Sequence, residues 1–182
     1  MRDSRTRWNR RYRSDPPPSD PSDLVVEYVD TLPRGRALDV ACGGGRNAIF
    51  LAEHGFDVVG VDSSDIGLEH ARARAERAGV DVEFVCVDVH EFELDTYDVI
   101  VVSNFRIRER LPDLLRALEP GGVILYEHRL RVDEHGSFRV EPNELLHALL
   151  SLRLVRYEEP LEPTSGDETV RVVARKPSGA TT

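Results

Sequence analysis

The residues best suited to chemistry surround three consecutive glycines, Gly43–Gly45. The stretch Ala37–His54, ALDVACGGGRNAIFLAEH, predicts a buried strand, then the glycine turn, then a helix that opens near Arg46. Glycines let a ligand approach the backbone closely, and the first turn of a helix presents free N–H groups and the positive end of its dipole. The pattern therefore predicts a site for a nucleotide-like cofactor.

Carboxylates accompany the first three predicted strands. Asp62 ends the strand 56–62, about 20 residues after the glycine turn, where a carboxylate can accept both hydroxyls of a ribose. Asp88 follows the strand 82–87 and is placed to accept from an adenine amino group. Asp39 lies inside the first strand, where a buried carboxylate is costly unless it is hydrogen-bonded. These three carboxylates favour an adenosine-type cofactor.

Two readings of these residues remain open. The run GGGRNA also fits the fingerprint of NAD-type dinucleotide sites, which have only apolar residues in the preceding strand. Asp62 could instead cap the helix that follows it.

The elements that must position these residues alternate between strand and helix patterns. They predict an α/β fold, a doubly wound seven-stranded Rossmann-like sheet with an antiparallel last strand. The predicted strands are 37–42, 56–62, 82–87, 97–102, 123–127, 152–158 and 169–175, and Pro120–Gly122 predicts a turn before the fifth. Because ligands bind beyond the carboxyl ends of such strands, Ser103 and Asn104 should join the glycine turn at the same edge.

Composition limits the classes of function. The chain has 182 residues, 40% of them hydrophobic, and no apolar run near the ~20 residues needed to span a membrane. Its net charge of −9 argues against nonspecific binding of nucleic acid. Its two cysteines lack metal-ligand spacing, so we expect no metal site. We therefore expect a cytoplasmic protein, monomer or homodimer, with neither membrane nor nucleic-acid partners.

Three segments are predicted along the chain. Residues 1–23 form an arginine- and proline-rich arm, residues 24–176 the cofactor-binding domain, and residues 177–182 a disordered tail. The arm is either a solvated, partly disordered segment or a lid that attracts anions.

Five motifs occur in order: LDVACGGGRNAIFLA, VVGVDSS, FVCVDVHEF, YDVIVV and LEPGGVIL. Together they resemble the class I S-adenosylmethionine-dependent methyltransferases. The stretch GRNAIFLAEHGFDVVGVDSS and the earlier WNRRY are similar to the tellurite-resistance and thiopurine-like branch, which methylates small molecules. The resemblance extends from about Trp8 to Leu125 and implies S-adenosyl-L-methionine as the cofactor.

The resemblance also implies roles for residues around the turn. Asp39 would order the glycine turn and hold the amino group of the cofactor. Gly43 and Gly45 would leave room for its methionine part, and Arg46 would lie near its carboxylate. Asp62 would then bind the ribose.

Further cofactor contacts follow from the same resemblance. Asp88 would hold the adenine edge, and Trp8 and Tyr12 would be the aromatic pair of an N-terminal lid, unless Trp8 simply packs on the first helix. Ala41 stands where the family more often has glycine. The remaining expected cofactor contacts are Ser63, Val89 and Ser103.

The acceptor should lie beyond the fourth and fifth strands, where Arg106 and His128 are the expected catalytic residues. Neighbouring basic residues include Arg108, Arg110, Arg129 and Arg131; they could bind an anionic acceptor, or form a solvated loop paired with Glu109 and Glu127. The segment SNFRIRERL lacks the Asn/Asp-Pro-Pro-Tyr/Phe tetrapeptide of nucleic-acid amino-methylating enzymes. We therefore expect a small acceptor, a thiol or a chalcogen oxyanion. The alternatives are an NAD-type dinucleotide-binding protein and a non-catalytic S-adenosylmethionine-binding module.

Overall fold

Seven strands form a single sheet in a computed structural model that describes residues 2–130, 140–160 and 168–179. The strands are β1 (Arg36–Val40), β2 (Asp57–Asp62), β3 (Glu83–Cys86), β4 (Tyr97–Ser103), β5 (Leu118–Arg129), β6 (Arg153–Glu158) and β7 (Thr169–Arg175). Their order is β3-β2-β1-β4-β5-β7-β6, and β7 runs antiparallel to both of its neighbours. The predicted doubly wound sheet with an antiparallel last strand is confirmed.

Six α-helices accompany the sheet in the described part of the chain. They are α1 (Arg2–Ser14), α2 (Asp23–Tyr28), α3 (Arg46–Glu53), α4 (Asp65–Ala78), α5 (Leu111–Ala117) and α6 (Glu144–Ala148). The N-terminal arm thus contains a helix, α1, which packs against α4. None of these helices is both long and apolar enough to cross a lipid bilayer.

The two faces of the sheet carry separate cores, because successive strand residues point to opposite sides. One core joins Leu38 and Ile124 to side chains of α5 and α6. The other joins Ala37, Val101 and Leu125 to side chains of α2 and α3. Asp39, Ser103 and Glu127 lie two positions after Ala37, Val101 and Leu125. They therefore point to the same face of the sheet, toward α2 and α3.

The fifth strand begins at Leu118, five residues earlier than predicted, so the predicted turn at Pro120–Gly122 is wrong. The strand bulges there instead: Tyr97 pairs with Leu118 and Val99 with Val123, so the register of β4 with β5 shifts between Tyr97 and Val99, and Gly121 has φ 84°. A Cβ at Gly122 would lie 3.0 Å from the carbonyl oxygen of Asp98, so glycine permits close approach of the two strands. The glycine marks a bulge.

Candidate active site

Asp39 anchors the helix that follows the glycine turn. Helix α3 has Gly45 as its N-cap residue, which offers no side chain, and Asp39 Oδ2 instead accepts the Ala48 N–H at 3.0 Å. Asp39 is only 1% exposed. This burial raises the pKa of Asp39 to about 7, although the Ala48 N–H and Arg46 oppose the shift. The carboxyl group therefore ties the start of α3 to β1.

The glycine turn contains two left-handed glycines with different surroundings. Gly43 has φ 54° and Gly45 has φ 75°, conformations that glycine adopts at little cost. A Cβ at Gly43 would lie 2.7 Å from Tyr12 Oη, whereas a Cβ at Gly45 would lie 2.9 Å from Ala71 Cβ. Gly43 therefore lies against Tyr12 of α1, and Gly45 allows α3 to pack on α4.

Asp62 links the glycine turn to the start of α4. Its Oδ2 accepts the Gly43 N–H at 2.8 Å and its Oδ1 accepts the Ser64 N–H at 2.7 Å. Burial raises the pKa of Asp62, while these backbone N–H groups oppose the rise. The N-cap of α4 is Ser64, whose Oγ accepts the Gly67 N–H at 3.0 Å, so Asp62 does not cap that helix. Each carboxylate oxygen keeps a lone pair for a ligand hydroxyl.

The end of β3 lies beside Asp62. The Val87 N–H donates to the main-chain carbonyl of Asp62 at 3.1 Å, which brings Asp88 to the same edge of the sheet. Asp88 is partly exposed; its Oδ1 accepts the His90 N–H at 2.9 Å, and Val89 beside it is buried. The half-buried Ser63 completes the edge. The structure therefore groups the expected adenosine contacts.

Helix α1 covers this edge. Asn9 Oδ1 accepts the Ser64 hydroxyl at 2.7 Å, and Asn9 Nδ2 donates to Asp65 Oδ1 at 2.5 Å. Tyr12 stacks on Trp8 with ring centroids 5.5 Å apart. Burial, and then the nearby Asp62, raise the pKa of the Tyr12 phenol, which therefore stays protonated at neutral pH. Tyr12 therefore lies against the glycine turn, and Trp8 stacks on Tyr12.

The proline-rich connector after α1 is fastened to the glycine turn. The Arg74 guanidinium, on α4, donates to the carbonyl oxygens of Pro17, Pro18 (2.7 Å) and Gly44 (3.1 Å). A Cβ at Gly44 would lie 2.5 Å from Pro17 Cγ, so glycine is needed for this contact. The connector thus closes over the turn.

The arginines expected to bind an anionic acceptor are paired within the chain. Arg106 and Arg108 lie 3.1 Å and 2.7 Å from Glu144 Oε2, and this ion pair joins the loop after β4 to α6. Burial lowers the pKa of His128, with Arg106 acting in the same direction, so its imidazole is neutral at pH 7. Of the two expected catalytic residues, Arg106 pairs with Glu144 and His128 bonds to the Arg129 carbonyl oxygen, while Arg131 lies outside the described residues.

A second polar cluster joins two expected cofactor contacts, Arg46 and Ser103, to Glu127, which was not predicted as a site residue. It lies at the carboxyl ends of β4 and β5, on the face toward α2 and α3. Asn47 Nδ2 donates to Ser103 Oγ at 3.2 Å, and Ser103 Oγ donates to Glu127 Oε1 at 2.9 Å. Arg46 Nη2 lies 3.7 Å from Glu127 Oε1, and Arg171 Nε lies 3.9 Å from Glu127 Oε2. The sequence feature that could have indicated this cluster is Glu127, a carboxylate within an apolar strand, as Asp39 is in β1.

Within the described residues, no group of three or more His, Cys, Asp or Glu side chains could hold a metal ion. The glycine turn, Asp62 and Asp88 instead offer backbone and carboxylate groups suited to an adenosine.

Comparison with known proteins adds to this geometry. A family model described as "Methyltransferase domain" matches residues 37–122. The Ubiquinone biosynthesis O-methyltransferase of Bordetella avium (strain 197N) is 30% identical over 165 residues, which cover 85% of this chain and 68% of that protein. The protein of the same name from Coxiella burnetii (strain RSA 493 / Nine Mile phase I) is 30% identical over 108 residues, or 56% of this chain and 46% of that protein.

Solved structures share the fold. TehB from Haemophilus influenzae superposes with a TM-score of 0.74 at 21% identity, covering 93% of this chain and 67% of that one. The N-methyltransferase NodS from Bradyrhizobium japonicum WM9, in complex with S-adenosyl-L-homocysteine, gives a TM-score of 0.72 at 16% identity and covers 96% and 98%.

Proposed function

We propose that this chain, which belongs to the class I S-adenosylmethionine-dependent methyltransferases, transfers the methyl group to a hydroxyl oxygen of a small molecule. The oxygen acceptor rests on the similarity to a protein named as an O-methyltransferase, which is 30% identical over 85% of this chain.

The residues present fit S-adenosylmethionine, the methyl donor of this family. The donor supplies an electrophilic methyl group, and the acceptor forms the new bond while the carbon–sulfur electron pair stays on sulfur. Gly43 presents bare backbone to the Tyr12 phenol, since a Cβ there would lie 2.7 Å from Tyr12 Oη. Asp62 has lone pairs for the ribose hydroxyls, and the partly exposed Asp88 can accept from the adenine amino group. Their assignment to the ribose and adenine is part of the proposal.

The protein's own contribution is alignment and exclusion of water, because the donor is already activated. Asp39 holds α3 against β1, and Asp62 holds the glycine turn against the start of α4. Tyr12 and the connector fastened by Arg74 cover the glycine turn. We assign residues 1–23 the role of a lid on the catalytic domain of residues 24–176.

The preference for oxygen replaces the expected thiol or chalcogen oxyanion. That expectation rested on the resemblance to the tellurite-resistance and thiopurine-like branch, together with guanidiniums that could bind an anionic acceptor. Because Glu144 pairs with both Arg106 and Arg108, the cluster offers less positive charge than the sequence indicated. The cluster around Glu127 presents a carboxylate instead, which suits a neutral acceptor with a proton to donate.

The proposal is tested by offering the purified chain methyl-labelled S-adenosylmethionine with three acceptors: 3,4-dihydroxybenzoate, 2-mercaptoethanol and sodium tellurite. Mass spectrometry follows labelled product and S-adenosylhomocysteine. We expect transfer to the dihydroxybenzoate, and Asp62→Asn serves as the control with an impaired donor site. Transfer to the thiol or tellurite alone would overturn the oxygen assignment. Tight donor binding without transfer to any acceptor would instead support a non-catalytic binding module.

A further inference from the structure

Glu127 is a buried charge that is not among the expected cofactor contacts. Its side chain is 9% exposed and follows Leu125 on the face of β5 toward α2 and α3. An apolar residue would extend the core there, whereas a buried carboxylate loses its hydration and costs stability unless partners compensate. Ser103 Oγ supplies one hydrogen bond, to Oε1, and Arg46 approaches the same oxygen. The second oxygen, Oε2, faces Arg171.

Two donors next to this cluster lack hydrogen-bond partners. In the described part of the chain, the buried atoms Arg171 Nε and Ser22 Oγ have none. Ser22 is 4% exposed, and its N–H donates to Asn47 Oδ1 at 2.8 Å, which attaches it to the hydrogen-bonded series from Asn47 to Glu127. A buried polar group without a hydrogen-bond partner costs stability. The cluster therefore suits a bound polar group that would supply the missing partners.

The spacing of Glu127 and Arg171 fits one oxygen atom. Oε2 and Nε are 3.9 Å apart, too far for a mutual hydrogen bond. A single hydroxyl oxygen placed about 2.8 Å from each atom can donate to Oε2 and accept from Nε at the same time. A thioether or an aprotic group could not fill both roles.

We infer that the acceptor hydroxyl lies between Glu127 Oε2 and Arg171 Nε, and that Glu127 is the catalytic residue that accepts its proton. The acceptor's O–H bond breaks, its electron pair stays on the acceptor oxygen, and the proton forms a bond to Oε2. Arg171 Nε–H then stabilises the negative charge on the oxygen that receives the methyl group, and the proton leaves to water after product release. This inference rests on the proposed O-methyltransferase function.

Glu127→Gln tests the proton transfer, because glutamine keeps an oxygen for Ser103 Oγ but is a far weaker proton acceptor. We expect transfer to 3,4-dihydroxybenzoate to slow about 100-fold or more, the usual contribution of a general base. Transfer to 4-nitrocatechol, which is already ionised at pH 8, should slow less than tenfold. Glu158→Gln, the same change at an exposed position of β6, should leave both rates unchanged.

Binding gives a readout that does not depend on turnover. Calorimetry should find S-adenosylhomocysteine affinity in Glu127→Gln within threefold of wild type, and melting temperature confirms folding. Arg171→Lys keeps the charge but removes Nε, so 3,4-dihydroxybenzoate should bind about tenfold more weakly to the S-adenosylhomocysteine complex, as expected for one lost hydrogen bond to a charged group.

The outcomes separate this inference from the function on which it rests. If wild type methylates hydroxyl acceptors but Glu127→Gln slows both of them equally, Glu127 is not the proton acceptor. An unchanged rate in Glu127→Gln refutes its role altogether, and unchanged acceptor binding in Arg171→Lys refutes the shared hydroxyl contact. If wild type methylates no hydroxyl acceptor, the proposed function itself fails.

Discussion

Replacing Asp39 with asparagine should change how the stability of the chain depends on pH. Asp39 is 1% exposed, and burial raises its pKa from 3.8 to about 7. The folded state therefore binds this proton more tightly than the unfolded state does. The resulting stabilisation is fully present below pH 3.8 and is lost as the pH rises through about 7. Asparagine has a similar shape, keeps an oxygen for the Ala48 N–H and never becomes charged.

The size of the effect follows from the two pKa values. A difference of about three pH units corresponds to about 4 kcal/mol in total. Between pH 5 and pH 8 the folded wild type loses about 2–3 kcal/mol of this, because most of the proton is released in that interval. Asp39→Asn has no such loss, so its stability relative to wild type should rise by the same amount over this interval.

Urea unfolding followed by far-ultraviolet circular dichroism measures this difference at pH 5, 6, 7 and 8. Asp95→Asn is the matched control. Asp95 is exposed, and its hydrogen bond from Arg36 lowers its pKa, so it stays ionised from pH 5 to pH 8. The difference in stability between Asp95→Asn and wild type should therefore be constant over this range. If the difference between Asp39→Asn and wild type is equally constant, the carboxyl is not held protonated by burial, and our account of β1 is wrong.

Three further changes test other parts of the structure. Asp62→Ala should weaken S-adenosylhomocysteine binding by about 1–3 kcal/mol in calorimetry, as expected for lost charge-assisted hydrogen bonds; unchanged affinity in a folded variant would contradict the ribose assignment. Ala41→Gly should stabilise the fold by about 1 kcal/mol and raise the melting temperature about 2–4 °C, since Ala41 has the left-handed φ of 55°. No rise in melting temperature would argue against strain there. Arg74→Gln should release the connector and speed tryptic cleavage in residues 1–23, whereas Arg77→Gln, which loses only a contact within α4, should not. Equal cleavage in both variants would mean that other contacts hold the connector.

Much of the sheet could be predicted because its signals are local. Strand β7 has the predicted bounds, Thr169–Arg175, and β2 ends at Asp62 as the apolar pattern indicated. The rule that ligands bind beyond the carboxyl ends of the strands then brought Asp62 and the glycine turn together without any knowledge of contacts.

Features that depend on distant partners could not be predicted. Helix α1 is rich in arginine, but its position depends on contacts with residues distant in sequence: Arg5 and Asn9 bond to Asp65, Asn9 bonds to Ser64, and Tyr12 lies against Gly43. The pairing of Arg106 with Glu144 spans 38 residues and lowers the positive charge expected at the acceptor side.

The glycines were also ambiguous. A Gly-Gly pair after proline usually marks a turn. At Gly122 the glycine instead allows β4 and β5 to approach closely within a bulged strand. Only the neighbouring strand distinguishes the two cases, and the sequence around the pair does not contain it.

The most direct test of the account is a calorimetric titration of the purified chain with S-adenosylmethionine, S-adenosylhomocysteine and NAD(H). The account predicts micromolar binding of both sulfur compounds at the glycine turn and Asp62, and no heat from NAD(H). Binding of NAD(H) without either sulfur compound would contradict it.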